Sequence, residues 1–318
     1  MDAHSQKEMN KEIIISIIIP IFNAQKTLKR MLDSLRAQTF QDYEVIMIDD
    51  GSTDNSSGIC DEYVKSDSRF KAIHQSNAGV AMARKKGIEN ACGEYSIHVD
   101  ADDWVEPTML EEMYWKARTD NADIVICDYF ILNNDGSKIY KQQKVSLNPN
   151  ETLKRIFEGD VFGALWNKLI RTELYQVYKV QFFKDINYCE DVLVCAQILK
   201  SPDVKISHLK KAYYCYYMNN DSITHKVSKH NYNGLLLLQI KIKEILCDVE
   251  YRICIERLDL SVFLLGFVSK TIAEKDISKE FRKVEKIAYV STKSIKMKLG
   301  FFFIRHNCIA FARKLIRF

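Results

Sequence analysis

This 318-residue chain lacks several devices that would place it quickly. Its eleven glycines never fall as G-x-G, and no G-x-x-x-x-G-K-[ST] occurs. A dinucleotide fold with a glycine fingerprint is therefore excluded, and so is an ordinary phosphate loop. The nine cysteines are odd in number and form no C-x-x-C pair, which fits neither a zinc ribbon nor a disulfide framework. Most lie in apolar runs, such as Cys127 in Ile-Val-Ile-Cys, and read as small buried hydrophobes in a reducing compartment. No uninterrupted apolar run approaches the ~20 residues needed to span a bilayer. The first residues, Met1 to Lys11, are polar and lack the apolar core of a signal peptide. These absences predict a cytoplasmic protein without a transmembrane helix. The net charge of +4 is too slight to indicate nucleic acid. Acidic residues stop altogether after Glu285, whereas Lys286, Lys293, Lys296, Lys298, Arg305, Arg313, Lys314 and Arg317 follow.

What is present is a strand–helix alternation. Ile13 to Ile19 is a β-branched run closed by Pro20, suited to a strand buried on both faces. Leu28, Met31, Leu32 and Leu35 recur at helical spacing. Further strands are predicted over 44–48, 70–74, 94–99 and 122–132, with helices through Ile59 to Val64, Ala78 to Asn90 and Met109 to Arg118. Such alternation implies right-handed βαβ units and a mostly parallel sheet flanked by helices, an α/β fold. Ligands of these sheets bind beyond the carboxyl ends of the strands. Two acidic turns lie there, Asp49-Asp50 and Asp100-Ala101-Asp102-Asp103. Beyond Asn133 the alternation fades, after a hairpin-like turn at Asn133-Asn134-Asp135-Gly136, and from Asn231 onward the pattern is helical.

The stretch Glu94 to Asp103 carries the most information. In an extended backbone residues i and i+2 point the same way, so Asp100 and Asp102 would aim at one point past the strand end. Anions held together call for a cation, and hard oxygen donors suit Mg2+ or Mn2+ shared with substrate phosphates. The plain alternative is an acidic turn, with Asp103 capping a helix that starts near Pro107.

Taken together, Pro20-Ile21-Phe22-Asn23, Asp49-Asp50-Gly51-Ser52-Thr53-Asp54, Asn77-Ala78-Gly79 with Ala83-Arg84, Gly93-Glu94-Tyr95 and Asp100-Ala101-Asp102-Asp103 occur in order. In this the chain resembles a family-2 glycosyltransferase with a GT-A fold, of the type that builds bacterial capsular and lipopolysaccharide glycans. The resemblance covers roughly residues 13 to 225. It implies an organisation of a polar tail (1–12), a glycosyltransferase domain (13–230) and a helical, basic, amphipathic C-terminal region (231–318). Within the domain, 13–132 would bind a nucleotide-sugar and 133–230 the acceptor.

The resemblance also implies roles. Pro20, Phe22 and Asp50 would line the base and ribose pocket of a nucleotide-sugar donor, usually a UDP-sugar, and Asn23, Ser52 and Ala101 are counted with the substrate-binding residues. An aromatic ring can stack on a base and a carboxylate can accept from an imide N–H; the alternative makes Phe22 core and Asp50 a cap. Asp102 would hold the metal, Mn2+ or Mg2+, with Asp100 at the ribose or the metal shell, and Arg84 would hold the nucleotide end of the donor. Glu190-Asp191 resembles the family's E-D pair, with Asp191 the catalytic base of an inverting transfer and Glu190 touching the acceptor. Asp191 starts an apolar helical run, so a helix cap is its bland reading, compatible with the base. Trp166 and Lys168 would shape the sugar and acceptor pocket, although a core tryptophan is the competing reading. His225 falls where relatives carry a loop that closes over the diphosphate, sometimes with a metal-binding histidine. Where relatives often carry an arginine after the tyrosine run, this chain has Tyr217 and Met218.

The acceptor would be a glycan or lipid-linked glycan, reached at the inner face of the cytoplasmic membrane. Residues 297–318 mix Phe301, Phe302, Phe303, Ile309 and Phe311 with basic residues and are read as a membrane-surface segment, against docking on the chain itself or a second subunit. Self-association is left open. A nucleotidyltransferase shares the fold logic but needs a glycine-rich basic loop that is missing here. A catalytically silent sugar-nucleotide-binding subunit would not need Asp191.

Overall fold

The computed structural model describes residues 13–133, 135–218 and 229–316. Among the described residues nine strands form one sheet. They are β1 (Ile15–Ile21), β2 (Tyr43–Asp49), β3 (Phe70–His74), β4 (Tyr95–His98), β5 (Trp104–Val105), β6 (Ile124–Leu132), β7 (Lys138–Lys141), β8 (Lys168–Arg171) and β9 (Ile206–Tyr217). Their order across the sheet is β3-β2-β1-β4-β8-β6-β9-β5, with β7 paired to β6. The four strands read from the β-branched runs, β3-β2-β1-β4, are parallel. Beyond β4 the sheet becomes mixed, because β8 enters antiparallel between β4 and β6, whereas β6 and β9 pair in parallel. The β6–β7 hairpin lies where the Asn133–Gly136 turn predicts it.

The helices between the first strands are α1 (Leu28–Arg36), α2 (Ser56–Ser66), α3 (Val80–Glu89) and α4 (Met109–Asp120). Leu28, Met31, Leu32 and Leu35 are the buried face of α1, as their spacing requires. There follow α5 (Pro149–Glu158), α6 (Leu174–Val177) and α7 (Glu190–Leu199). In α5 the local signals agree. Asn148 accepts from the Glu151 N–H, proline takes the first turn, and Gly159 ends the helix at φ 79°.

A helical region closes the chain: α8 (Lys229–Ile245), α9 (Arg252–Val268), α10 (Glu274–Ser291), α11 (Ile295–Arg305) and α12 (Ile309–Leu315). The hydrophobic packing runs across the sequence position 231. Tyr232, Leu235, Leu238 and Ile242 of α8 share one core with Leu193 and Ile198 of α7 and with Ile124 and Ile126 of β6. A separate core, built on Phe263, Phe267, Phe281, Phe301, Ile304 and Ile316, joins α9 to α12. Among the described residues, no helix is long and apolar enough to cross a membrane.

Candidate active site

The carboxyl ends of β1, β2 and β4 carry the loops in which the motifs lie. The loops after β1 and β2 are bound to each other. Asn23, at φ 51°, accepts the Thr53 N–H through Oδ1 at 2.8 Å, and its own N–H donates to Ser52 Oγ at 3.1 Å. The side chains of Asn23 and Ser52 thus fix the shape of the rim. Phe22 beside them is 53% exposed, which removes the core reading and leaves a ring face open to solvent. Asp50 is buried and spends its carboxylate on the N-terminus of α3, accepting from the N–H groups of Ala78 and Gly79 at 2.8 Å each and from Gln75. An anion at a helix N-terminus is the favourable arrangement; the turn that directly follows Asp50 is capped by Asp49 instead, whose Oδ1 accepts the Ser52 N–H at 3.1 Å, so Asp50 is not the cap of its own turn. Gly79 sits at φ 91°, and a Cβ there would lie 2.3 Å from the Asn187 side chain.

That close approach brings the second half of the site in. Asn187 Oδ1 accepts the Ala81 N–H at 3.2 Å and docks the segment before α7 against α3. Cys189, in the left-handed region at φ 60°, is the N-cap of α7, so Glu190 and Asp191 lie in the first turn beyond it. Arg84, on α3, is buried and faces both. Its Nε donates to Glu190 Oε1 at 3.2 Å and lies 3.2 Å from Asp191 Oδ1, while Nη2 donates to Asp100 Oδ1 at 2.9 Å. Asp191 Oδ2 accepts the Leu165 N–H at 3.1 Å. One guanidinium therefore gathers three carboxylates from two motifs, Arg84 and Glu190 being 106 residues apart in the chain.

The electrostatics follow from burial and sign. Burial works against the charge of Arg84, but Asp191, Asp100 and Glu190 more than offset it and hold the group protonated. Burial raises the carboxyl of Glu190, the neighbouring Asp191 charge adds to this, and Arg84 opposes both. Asp191 is likewise raised by burial, with Arg84 opposing and Asp100 adding. Its side chain keeps 14% of its surface open, while Oδ1 itself is buried.

The Asp100–Asp103 segment is not extended. β4 stops at His98, and the Asp103 N–H bonds back to the Asp100 carbonyl at 3.3 Å, closing a turn. The shared aim expected from strand alternation does not apply, and Asp100 turns to Arg84 instead. Asp103 is buried and belongs to the scaffold rather than to a helix cap. Its oxygens accept the Tyr214 O–H at 2.7 Å and the Tyr217 N–H at 2.7 Å. Tyr214 Oη in turn accepts the Asp100 N–H at 3.0 Å, so one phenol pins both ends of the turn. Arg30 of α1 donates to the Asp102 carbonyl and lies over the rings of Trp104 at 4.2 Å and Tyr217 at 4.9 Å. Among the described residues, the Asp102 carboxylate has no ion-pair partner like that of Asp100 and no scaffold bonds like those of Asp103. Burial and the Asp100 charge push it up to about 6. Such a group favours a cation. Among the described residues no three His, Cys, Asp or Glu side chains converge as a ready-made cage. A single carboxylate of this kind is a hard oxygen donor, the type Mg2+ and Mn2+ take.

Two expected pocket residues are not where the motif reading puts them. Trp166 is 2% exposed and is stacked on Tyr214 at 4.3 Å and 13°, with Tyr129 and Phe162 around it. It offers no open face to a sugar, and its place is to brace the phenol that holds the acidic turn. Lys168 is buried too, and its ammonium donates to the carbonyls of Phe162 and Ala164 and to Asn167 Oδ1. With its three donors committed, it shapes the loop beside Asp191 rather than reaching a ligand. Pro20 is half-buried at the end of β1, and Ala101 is buried in the turn. His225 lies outside the described residues. Tyr214, Arg30 and Asn187 were missed in the sequence, where a tyrosine run, a helix-face cation and a loop asparagine carry no signal of these contacts.

The comparison with known proteins decides the family. The model of the family described as glycosyl transferase family 2 matches residues 16–186. The chain belongs to that family. EpsJ of Bacillus subtilis (strain 168), an uncharacterized glycosyltransferase, is 29% identical over 294 residues, 85% of this chain and 83% of that one. EpsH of the same organism is 38% identical over 177 residues, 53% of this chain. The chain spans only half the length of EpsH. The cholesterol galactosyltransferase of Borreliella burgdorferi is 34% identical over 67% of this chain and 63% of its own length. Among solved structures, S. aureus TarS 1–349 in complex with UDP-GlcNAc superposes with a TM-score of 0.68 at 20% identity, over 95% of this chain and 90% of that one. The fold is thus that of a GT-A glycosyltransferase with a helical C-terminal region.

Proposed function

We propose that this glycosyltransferase moves a sugar from a UDP-sugar to a hydroxyl of a cell-surface glycan or lipid-linked glycan, with inversion at the transferred carbon. The observation that carries the reading is the convergence of the Asp100–Asp103 turn and the Glu190-Asp191 pair on Arg84. It joins a donor end to an acceptor end through one buried cation. In the reaction, an acceptor oxygen forms a bond to the anomeric carbon as the bond from that carbon to the diphosphate oxygen breaks. The electron pair leaves with the nucleoside diphosphate, and Asp191 takes the acceptor's proton. A carboxyl raised by burial sits nearer neutral pH, where a general base is most effective. Arg84 opposes that rise and favours the ionised form.

Glu190 orients the acceptor, and Phe22 offers its exposed ring to the base, with Pro20, Asp50 and Ala101 forming the pocket floor. Asp102 would hold Mn2+ or Mg2+. Bound there, the ion would supply charge to offset the diphosphate of the leaving group. The UDP-GlcNAc complex of TarS supports a uridine donor by analogy of fold alone.

The test is thermal stabilisation by UDP, GDP, CDP and dTDP, each with and without Mn2+. A nucleotide at ~100 times its Kd adds ~2.7 kcal/mol. UDP is expected to stabilise only with metal, and Asp102→Ala is expected to abolish the effect. No stabilisation by any nucleotide in a folded sample would refute the donor site.

A further inference from the structure

We infer that the outward face of α11, continued onto α12, binds the surface of a membrane that carries anionic lipid. The helix is apolar on two opposite faces. Its inner face packs into the C-terminal core: Phe301 and Ile304 are fully buried, and Phe301 lies against Phe281 at 5.6 Å and Tyr289 at 5.8 Å of α10. The side chain of Ile316 fills the space over Gly300, so this face is closed. The outer face carries Ile295, Leu299 and Phe302 at spacings of four and three, which places them in one stripe. They are 76%, 48% and 48% exposed. Phe311 of α12, 60% exposed, stacks on Phe303 at 5.6 Å and extends the stripe across the hairpin. A helix packed on a core is ordinarily polar on its outer side. Four large exposed apolar side chains in one patch mark a surface that something covers.

Charge identifies the cover. Lys296 and Lys298 flank the stripe on α11, Lys293 precedes it, and Lys314 lies beside Phe311. Arg305 and Arg313 are paired with Glu285 and Glu274, but among the described residues no carboxylate pairs with those four lysines. No acidic residue follows Glu285 in the sequence, so α11 and α12 themselves contribute only apolar, polar and cationic side chains to this face. A second copy docked about a two-fold axis would oppose lysine to lysine. A bilayer surface offers an apolar layer beneath negative headgroups, the complement this face lacks. At 11 residues, α11 is ~16 Å long, about half the hydrocarbon thickness, so it would lie in the interface rather than cross.

The test uses the full chain and cosedimentation with vesicles of phosphatidylcholine alone or with a third of phosphatidylglycerol. The protein is expected to bind the anionic vesicles, to leave them at high salt, and to ignore the neutral ones. Leu299→Glu combined with Phe302→Glu, and separately Lys296→Glu with Lys298→Glu, should each lower partitioning about tenfold or more. All four positions are exposed, so folding and UDP-dependent stabilisation should be unchanged, which separates this surface from the proposed donor site. Absence of binding to anionic vesicles, or binding that neither variant alters, overturns the inference. So does a dimer, measured by light scattering, that Leu299→Glu dissociates while vesicles are not bound; the face would then be an interface between copies.

Discussion

Replacing Arg84 with methionine roughly keeps the volume of the side chain and removes the guanidinium that bridges Asp100, Glu190 and Asp191. Breaking a buried ion pair from one side costs ~3–5 kcal/mol because the partners stay buried and uncompensated. At ~2–4 °C per kcal/mol, Tm should fall by on the order of 10 °C at neutral pH. The sign with pH follows from the carboxyls. Glu190 and Asp191 are already raised in the folded state by burial, and Arg84 is the group that opposes the rise, so its loss raises them further. A carboxyl with a raised folded value contributes stability that is present below its unfolded value and is lost as pH climbs through the folded value. The Tm deficit of Arg84→Met should therefore be largest near pH ~8 and shrink toward pH ~5, where the carboxyls can protonate. On the proposed mechanism Asp191 must be ionised to take a proton, so the acid limb of the kcat profile should move to higher pH in the same variant. Arg84→Lys keeps the charge but not the fork that reaches three carboxylates, and should recover part of the stability and less of the activity. Differential scanning calorimetry and pH–rate profiles measure both. A deficit that is flat with pH, together with an unmoved acid limb, would show that Arg84 fills space and does not hold the base.

Three further outcomes are expected. Asp191→Asn should lower kcat by ~10²–10⁴-fold while leaving metal-dependent stabilisation by nucleotide intact; retained turnover would reassign the base. Trp166→Ala should cost ~3–5 kcal/mol in denaturant unfolding, as for a large core side chain. A cost below ~1 kcal/mol with a raised KM would instead restore the sugar-platform reading. Tyr214→Phe removes the hydroxyl that bonds to Asp103 and to the Asp100 N–H, leaving buried groups unpaired at a cost of ~1–3 kcal/mol. It should also weaken Mn2+-dependent nucleotide stabilisation, because the turn bearing Asp102 is loosened; unchanged metal dependence would separate that turn from the site.

The parallel half of the sheet was legible because its signal is local. The run Ile13 to Ile19 supplies most of β1, although the strand starts two residues later and continues through Pro20 to Ile21, and the 3.6-residue spacing of Leu28 to Leu35 becomes the buried face of α1. The location of the site was legible for a topological reason: in a parallel sheet, loops after strands gather at one edge whatever their sequence. What the motifs do not carry is side-chain direction. Extending β4 through Asp102 by period-two alternation puts Asp100 and Asp102 on one side, but the strand stops at His98 and a single Asp103 N–H to Asp100 carbonyl bond turns the chain. That turn is what brings Asp100 to Arg84. The same holds at Trp166 and Lys168, residues of types that serve ligands and cores equally well. The choice between the two is made by Tyr214 and by the carbonyls of Phe162 and Ala164, partners supplied by distant strands or by a loop without periodicity. An indole surrounded by Tyr129, Phe162, Tyr214 and Tyr216 is already packed, and an ammonium with three oxygens has no donor left to give. The binding residues a motif names are thus, in part, the residues that hold the binding residues still.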